Sequence, residues 1–245
     1  MNRSISRKGY SALIGKFLEL GYQARDFPSV ESNCQHLVLR HDIDMSIESA
    51  VNISKIEHTL SVSSIYFVLL RSPLYNALSV RALSGMKTIL QLGHDIGLHF
   101  DASLYASDRE LLESACKIEC EILEALLQHP ITVISFHRPD HTLFGLEGKF
   151  ADRIHTYAPE YFDEITYCSD SKGAWHHGHP LDLDAVKEKR AIQLLTHPIW
   201  WDTDSSIEPV IRLDRLVAGN YEQYRIDLAD NCSPYRQAIH SQEQS

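Results

Sequence analysis

The chain has 245 residues, 44% hydrophobic and 23% charged, which is ordinary globular composition and enough for one domain with a sizeable core. Its net charge of −10, from 23 Lys and Arg against 33 Asp and Glu, argues against a nucleic-acid or anionic-membrane partner. No apolar run is long enough to span a membrane, residues 1–8 lack the apolar segment of a signal peptide, and the five scattered Cys form no CxxC pair, so a reduced, cytoplasmic setting is expected.

Tyr10, Leu13, Ile14, Phe17 and Leu18 form the stripe of an amphipathic helix over 6–21, with Ser6 as its cap and Gly21 at its end. Leu37-Val38-Leu39-Arg40-His41 reads as a buried strand and runs into Asp42-Ile43-Asp44. On a regular strand that spacing puts both carboxylates on one face. Two carboxylates so close do not both ionise cheaply, and a divalent cation resolves this by taking one as ligand and leaving the other as a base. The plainer alternative is a solvated turn in which Asp44 caps the next helix.

That helix is predicted over 46–59, with Ile47, Ala50, Val51, Ile53 and Ile56 inward. A buried strand follows at 63–70, then a helix near 79–92 that Gly93 stops. Gly93-His94-Asp95-Ile96-Gly97-Leu98-His99 reads as a tight turn and a short strand ending in a histidine. Ser107 is the expected cap of a long helix reaching about Gln128, with Glu110 at the capping-box position and Cys116 and Cys120 in the core. A strand over 131–136 ends in His137-Arg138-Pro139-Asp140-His141. Residues 142–180 are weakly patterned, with a short strand at 164–168 followed by Asp170 and Trp175. The last clear strand, 191–196, ends in His197-Pro198. A helix begins near 206 and runs to about 224, followed by polar residues expected to fray. No linker or repeat is evident, so one domain is read over 1–245, with the helix at 6–21 and the tail at 206–245 as additions.

Strands alternating with helices imply a parallel sheet or barrel, and both gather strand ends at one mouth. Any single histidine is better read as a core or loop residue. Asp42, Asp44, His99, His137 and His197 at successive strand ends, with Asp170 after a weaker strand, form a pattern that chance explains poorly. An Asp with two His is a common first-row metal set, usually for Zn²⁺. A carboxylate base beside a metal-acidified water, with a histidine acid opposite, makes a hydrolase.

The order of these pieces resembles the polysaccharide deacetylases of carbohydrate esterase family 4, the NodB-homology fold. The resemblance covers about residues 37–201 and implies a distorted (β/α) barrel. By it, Asp42 is the catalytic base and Asp44 a metal ligand, although the inserted Ile43 leaves the two roles exchangeable. His99 is the first metal histidine, and His94 is not a ligand. Arg138-Pro139 matches the family's Arg-Pro pair, Arg138 orienting the base. Asp170 with Trp175 matches an Asp followed by a Trp, Asp170 orienting the catalytic His or Arg and Trp175 lining the substrate pocket. Leu194-Leu195-Thr196-His197-Pro198 matches the strand whose histidine is the catalytic acid. One position departs: the family's second metal histidine falls four residues after the first, where this chain has Ser103. His137, which ends a strand beside the expected mouth, is the first candidate for the missing ligand and His141 the second. The pattern also resembles a divergent branch associated with surface-polysaccharide, O-antigen-type biosynthesis. That implies an N-acetyl or N-formyl amino sugar, or a sugar nucleotide, as substrate, with Zn²⁺ or another divalent first-row metal as cofactor.

Other readings compete. Asp42-Ile43-Asp44 also matches the Asp-x-Asp of nucleotide-sugar glycosyltransferases, but too little chain precedes it for a nucleotide cradle. Asp-x-Asp phosphatases need a later lysine and a further acidic pair, and would leave His99, His137 and His197 unexplained. A degenerate deacetylase fold that binds a glycan without turnover also stands, given Ser103. His176-His177-Gly178-His179 resembles a metal tract but lies in a polar stretch and is read as a solvated loop. Trp200 is read as core, and Trp201 as either core or part of an apolar wall.

Overall fold

The structure, a computed structural model, describes residues 3–105, 108–139, 142–176 and 178–243. Ser107, His141 and His177 therefore lie outside the described residues. The chain divides into two compact units, Met1–Ser206 and Ile207–Ser245.

In the first unit, α1 (Arg7–Glu19) leads into β1 (Gln23–Ala24) and β2 (His36–Ile43). Three β/α crossovers follow: α2 (Ile47–Thr59) to β3 (Ile65–Val68), α3 (Val80–Gln91) to β4 (Asp95–Phe100), and α4 (Arg109–Leu127) to β5 (Val133–Phe136). Then come β6 (Ile154–His155), α5 (Pro159–Phe162), β7 (Thr166–Ser169), α6 (Asp184–Glu188), β8 (Ile192–Thr196) and α7 (Pro198–Trp201). The strands pair in the order β6-β5-β4-β3-β2-β8-β7, all parallel, with β1 beside the start of β2. This is the expected distorted (β/α) barrel, left open between β6 and β7.

Local chemistry explains most boundaries. Ser6, Ser46 and Ser79 cap α1, α2 and α3, each accepting a backbone N–H three residues on. Asp108 does the same for α4 by accepting from Leu111 N, so the cap falls on Asp108 rather than Ser107. Gly93, at φ 88°, turns the chain from α3 into β4. Gly97 is needed for close approach: a Cβ there would lie 2.5 Å from the Phe67 ring and 2.7 Å from Val133 O. The second unit corrects the reading of the tail. α8 (Pro209–Asn231) and α9 (Ser233–Glu243) are regular helices where fraying was expected beyond about 224.

β2 is the centre of the sheet, and all eight of its residues are buried. Asp42 thus lies inside a strand, not in a turn. The period of two sends β2 side chains to opposite faces. Ile43 joins Tyr66, Val68, Ile96, Leu98 and Phe136 on the face covered by α2, α3 and α4. Val38 joins Ile65, Phe67 and Val133 on the other face, with Phe27 and Tyr161 packed edge to face over them.

The helix-covered face also holds a polar cluster that the sequence did not announce. Glu57, one residue past the predicted apolar position 56, is fully buried. Its Oε1 accepts from Tyr10 OH at 2.6 Å and lies 2.9 Å from His41 Nε2. Its Oε2 accepts from Ser64 Oγ and Tyr66 OH, both at 2.6 Å. His41 Nδ1 lies 2.7 Å from Thr196 Oγ1, so the cluster ties β2 to β8 immediately before Asp42 and His197. Burial alone would raise the Glu57 carboxyl, but His41, His94 and Ser64 hold it down at about 2. Glu57→Leu strands three buried hydroxyls and an imidazole, and is expected to lower the unfolding free energy by about 3–5 kcal/mol in a urea titration. Because the folded pKa of Glu57 lies below its ordinary 4.5, its contribution is complete above pH 4.5 and is lost as pH falls towards 2. Glu57→Gln should therefore show a flatter stability profile than wild type across that window.

Candidate metal centre and active site

The carboxyl ends of β2, β4, β5 and β8 converge. On β2, Arg40 and Asp42 share a face. The Arg40 guanidinium, 0% exposed, donates from Nε to Asp42 Oδ1 at 3.0 Å and from Nη2 to Asp42 Oδ2 at 2.8 Å. It also donates to Gln193 Oε1 at 3.1 Å, Ser135 Oγ and Tyr157 OH, and it lies over the rings of Phe67 and Tyr157. Burial by itself would push the Asp42 carboxyl up. Arg40, with His99 and His197 nearby, reverses that and holds it well below the usual carboxylate range.

Asp44, just past the end of β2, is not held by Arg40. Its Oδ1 is buried with no hydrogen-bond partner among the described residues, 3.2 Å from His99 Nε2. His99 Nε2 is also 3.6 Å from Asp42 Oδ2. From the end of β5, His137 brings its ring to within 5.0 Å of the His99 ring, edge to face. One ligand atom from each of Asp44, His99 and His137 lies within 4.8 Å of the others. A carboxylate oxygen with an unused lone pair and two imidazoles match the donor chemistry of a first-row divalent cation, so the residues present fit such an ion.

On the other side of Asp44, His197 Nε2 lies 3.8 Å from Asp44 Oδ2. Asp170, fully buried, holds this histidine. It accepts from His197 N at 3.0 and 3.1 Å, lies 2.6 Å from His197 Nδ1, and accepts from Trp201 Nε1 at 2.6 Å. A carboxylate only accepts, so the hydrogen sits on His197 Nδ1. Burial would lower the His197 pKa, but Asp170, with Asp44 and Asp42, raises it to about 9. The ring is therefore an imidazolium at neutral pH. Trp175 is half-buried with its centroid 5.9 Å from that of Trp201.

Asp42, Asp44, His99, His137, Asp170 and His197 are thus brought together. Arg138 is corrected: the guanidinium that grips Asp42 belongs to Arg40, while Arg138 is exposed at φ 49°. Trp200 and Trp201 are both buried. His94 is buried, with its ring nitrogens 2.9 Å from Ser64 Oγ and 2.9 Å from Ser54 O. In the loop tract, His176 bonds Ser171 O and His179 Nδ1 accepts from Leu181 N. Sequence reasoning missed Arg40, Trp201 as a partner of Asp170, and Asp101. A charge in the middle of an otherwise apolar strand was the available signal for Arg40.

No family model matches the sequence, and no curated protein matches it. Among solved structures, the chain is similar to the Bc1960 peptidoglycan N-acetylglucosamine deacetylase in complex with 4-naphthalen-1-yl-N-oxidanyl-benzamide, at 16% identity and TM-score 0.46 over 86% of this chain and 92% of that one. It is similar to the Streptococcus pyogenes deacetylase PplD in complex with acetate, at 16% identity and TM-score 0.44 over 62% of this chain and 83% of that one. It is also similar to BA3943, a CE4 family pseudoenzyme from Bacillus anthracis, at 13% identity and TM-score 0.42 over 79% of this chain and 63% of that one.

The two arginines separate cleanly by experiment. Arg40→Leu leaves a buried carboxylate without its counter-charge and is expected to cost about 3–5 kcal/mol of stability. Arg138→Ala, at an exposed position, is expected to change stability by no more than about 0.5 kcal/mol. Urea unfolding of both variants beside wild type checks the pair.

Proposed function

We propose that the chain is a metal-dependent hydrolase that removes an N-acyl group, acetyl or formyl, from an amino sugar. The observation that carries this reading is the placement of the Asp44, His99 and His137 donors between an ionised Asp42 and a protonated His197. Asp44, His99 and His137 would hold the cation. Zn²⁺ or a similar ion there lowers the pKa of water towards neutrality and offsets negative charge on a carbonyl oxygen.

The chain's own residues supply the rest. Asp42, fixed by both Arg40 hydrogen bonds, accepts the proton of the attacking water. His197, kept protonated by Asp170, donates from Nε2 to the leaving amine. Asp170 also fixes the ring through Nδ1 and the backbone N, so that Nε2 faces the reacting group. Trp175, resting on Trp201, offers an apolar wall suited to the face of a sugar ring. The sugar substrate is supported by the order of motifs over 37–201, and the surface-polysaccharide setting by the resemblance of that same pattern to the divergent branch.

Asp44→Ala and His99→Ala are each expected to strip the metal, measured by elemental analysis of purified protein. His197→Ala should keep the metal and lose about 10²–10⁴ in turnover, measured as acetate or formate released from N-acyl amino sugars. Asp170→Asn removes the charge that raises His197, so the alkaline limb of kcat/KM should move to lower pH. Retained activity in Asp44→Ala counts against the assignment. Metal binding without acyl release favours a glycan-binding module, and Mg²⁺-dependent phosphate release favours the phosphatase reading.

A further inference from the structure

The resemblance places a second metal histidine at position 103, and this chain has serine there. In the structure Ser103 is not an idle substitute. It sits in the single turn Ala102–Leu104 that follows β4, and its Oγ and N donate to Asp101 Oδ1 at 2.5 and 3.1 Å. The other oxygen, Asp101 Oδ2, lies 3.0 Å from Nδ1 of His137. Both side chains are mostly buried, at 12% and 13% exposure. The carboxylate only accepts, so the hydrogen of this bond sits on Nδ1, and the tautomer it selects is the one in which Nε2 is the nitrogen left to bind a metal. The His137 backbone N donates to Phe100 O at 2.8 Å, so main chain and ring are both anchored to the end of β4.

We propose that Asp101 is a positioning residue that sets the tautomer and ring orientation of His137 as the third metal ligand, and that Ser103 holds Asp101 in place for it. The donor expected from position 103 has thus been replaced by one from the end of β5, and the residue at 103 serves the carboxylate behind the new donor. This rests on the metal centre proposed above. A carboxylate behind a ligating imidazole fixes its tautomer and raises its basicity, and loss of such a partner commonly weakens metal binding 10–100-fold. The competing role for Asp101 is only to cap the turn at 102–104.

The test is titration of the metal-free full-length protein with Co²⁺ and Zn²⁺ alone, with the melting temperature of each metal-free variant as a control. Asp101→Ala should raise Kd about 10–100-fold. Asp101→Asn, which keeps an acceptor and the Ser103 contacts, should raise it less, and Ser103→Ala less than Asp101→Ala. His137→Ala should raise Kd at least as far as Asp101→Ala, and the double variant no further than His137→Ala. A wild-type Kd in Asp101→Ala with a lowered metal-free melting temperature means a cap alone and overturns the proposal, leaving the metal centre standing. If Asp101→Ala does not fold, Asp101→Asn carries the test, and an unchanged Kd and Co²⁺ absorption spectrum overturns it. Equal binding by wild type and Asp44→Ala, or none by wild type, removes the metal centre itself and this proposal with it.

Discussion

A guanidinium buried beneath the mouth of the sheet is the constraint around which the site is arranged. Placing Arg40 and Asp42 in the interior costs several kcal/mol per ion unless each finds a full set of partners. For Arg40, Asp42 on the same strand is one, and the rest come from distant segments: Ser135 on β5, Gln193 on β8, and Tyr157 beyond β6, with the Phe67 ring on β3. Gln193 is itself fixed by donating to Thr156 O and Tyr161 O. Much of the inner face therefore serves to solvate one cation, and disturbing any of these strands disturbs Asp42.

This arrangement divides labour between two carboxylates that look equivalent in sequence. Asp42 has both oxygens occupied by Arg40 and cannot turn. Asp44 has an unsatisfied buried oxygen facing His99. The first suits a fixed base and the second a ligand, which favours the assignment in which Asp44 joins His99 and His137. His197 has the converse environment: buried beside Asp170, it is raised rather than lowered.

The strand ends were legible because burial leaves a plain mark in sequence: a short apolar run that stops at a polar residue. Asp42, Asp44, His99, His137, Asp170 and His197 were all found in this way. The same logic hid Arg40, Glu57 and Asp101. Arg40 stands inside its run, Glu57 lies on a helix face one step from the apolar stripe, and Asp101 follows a strand whose histidine had already drawn the assignment. Each becomes visible only through a partner far along the chain: Gln193 for Arg40, Tyr10 for Glu57, His137 for Asp101. The two-residue strand β6 was missed because it has too few residues to show a period.

By itself, the amino-acid order determined the alternation of strands and helices and the residue types delivered to the carboxyl edge of each strand, since these follow from local periodicity. Tertiary structure alone decided which arginine grips Asp42, that His137 comes within reach of Asp44 and His99, and that Trp201 and Asp170 together hold His197. Those pairings depend on the register between parallel strands, such as His99 beside Ser135 and His41 beside Thr196. Parallel neighbours are joined through long crossovers, so their register is set by the packing of the whole sheet rather than by any spacing along the chain.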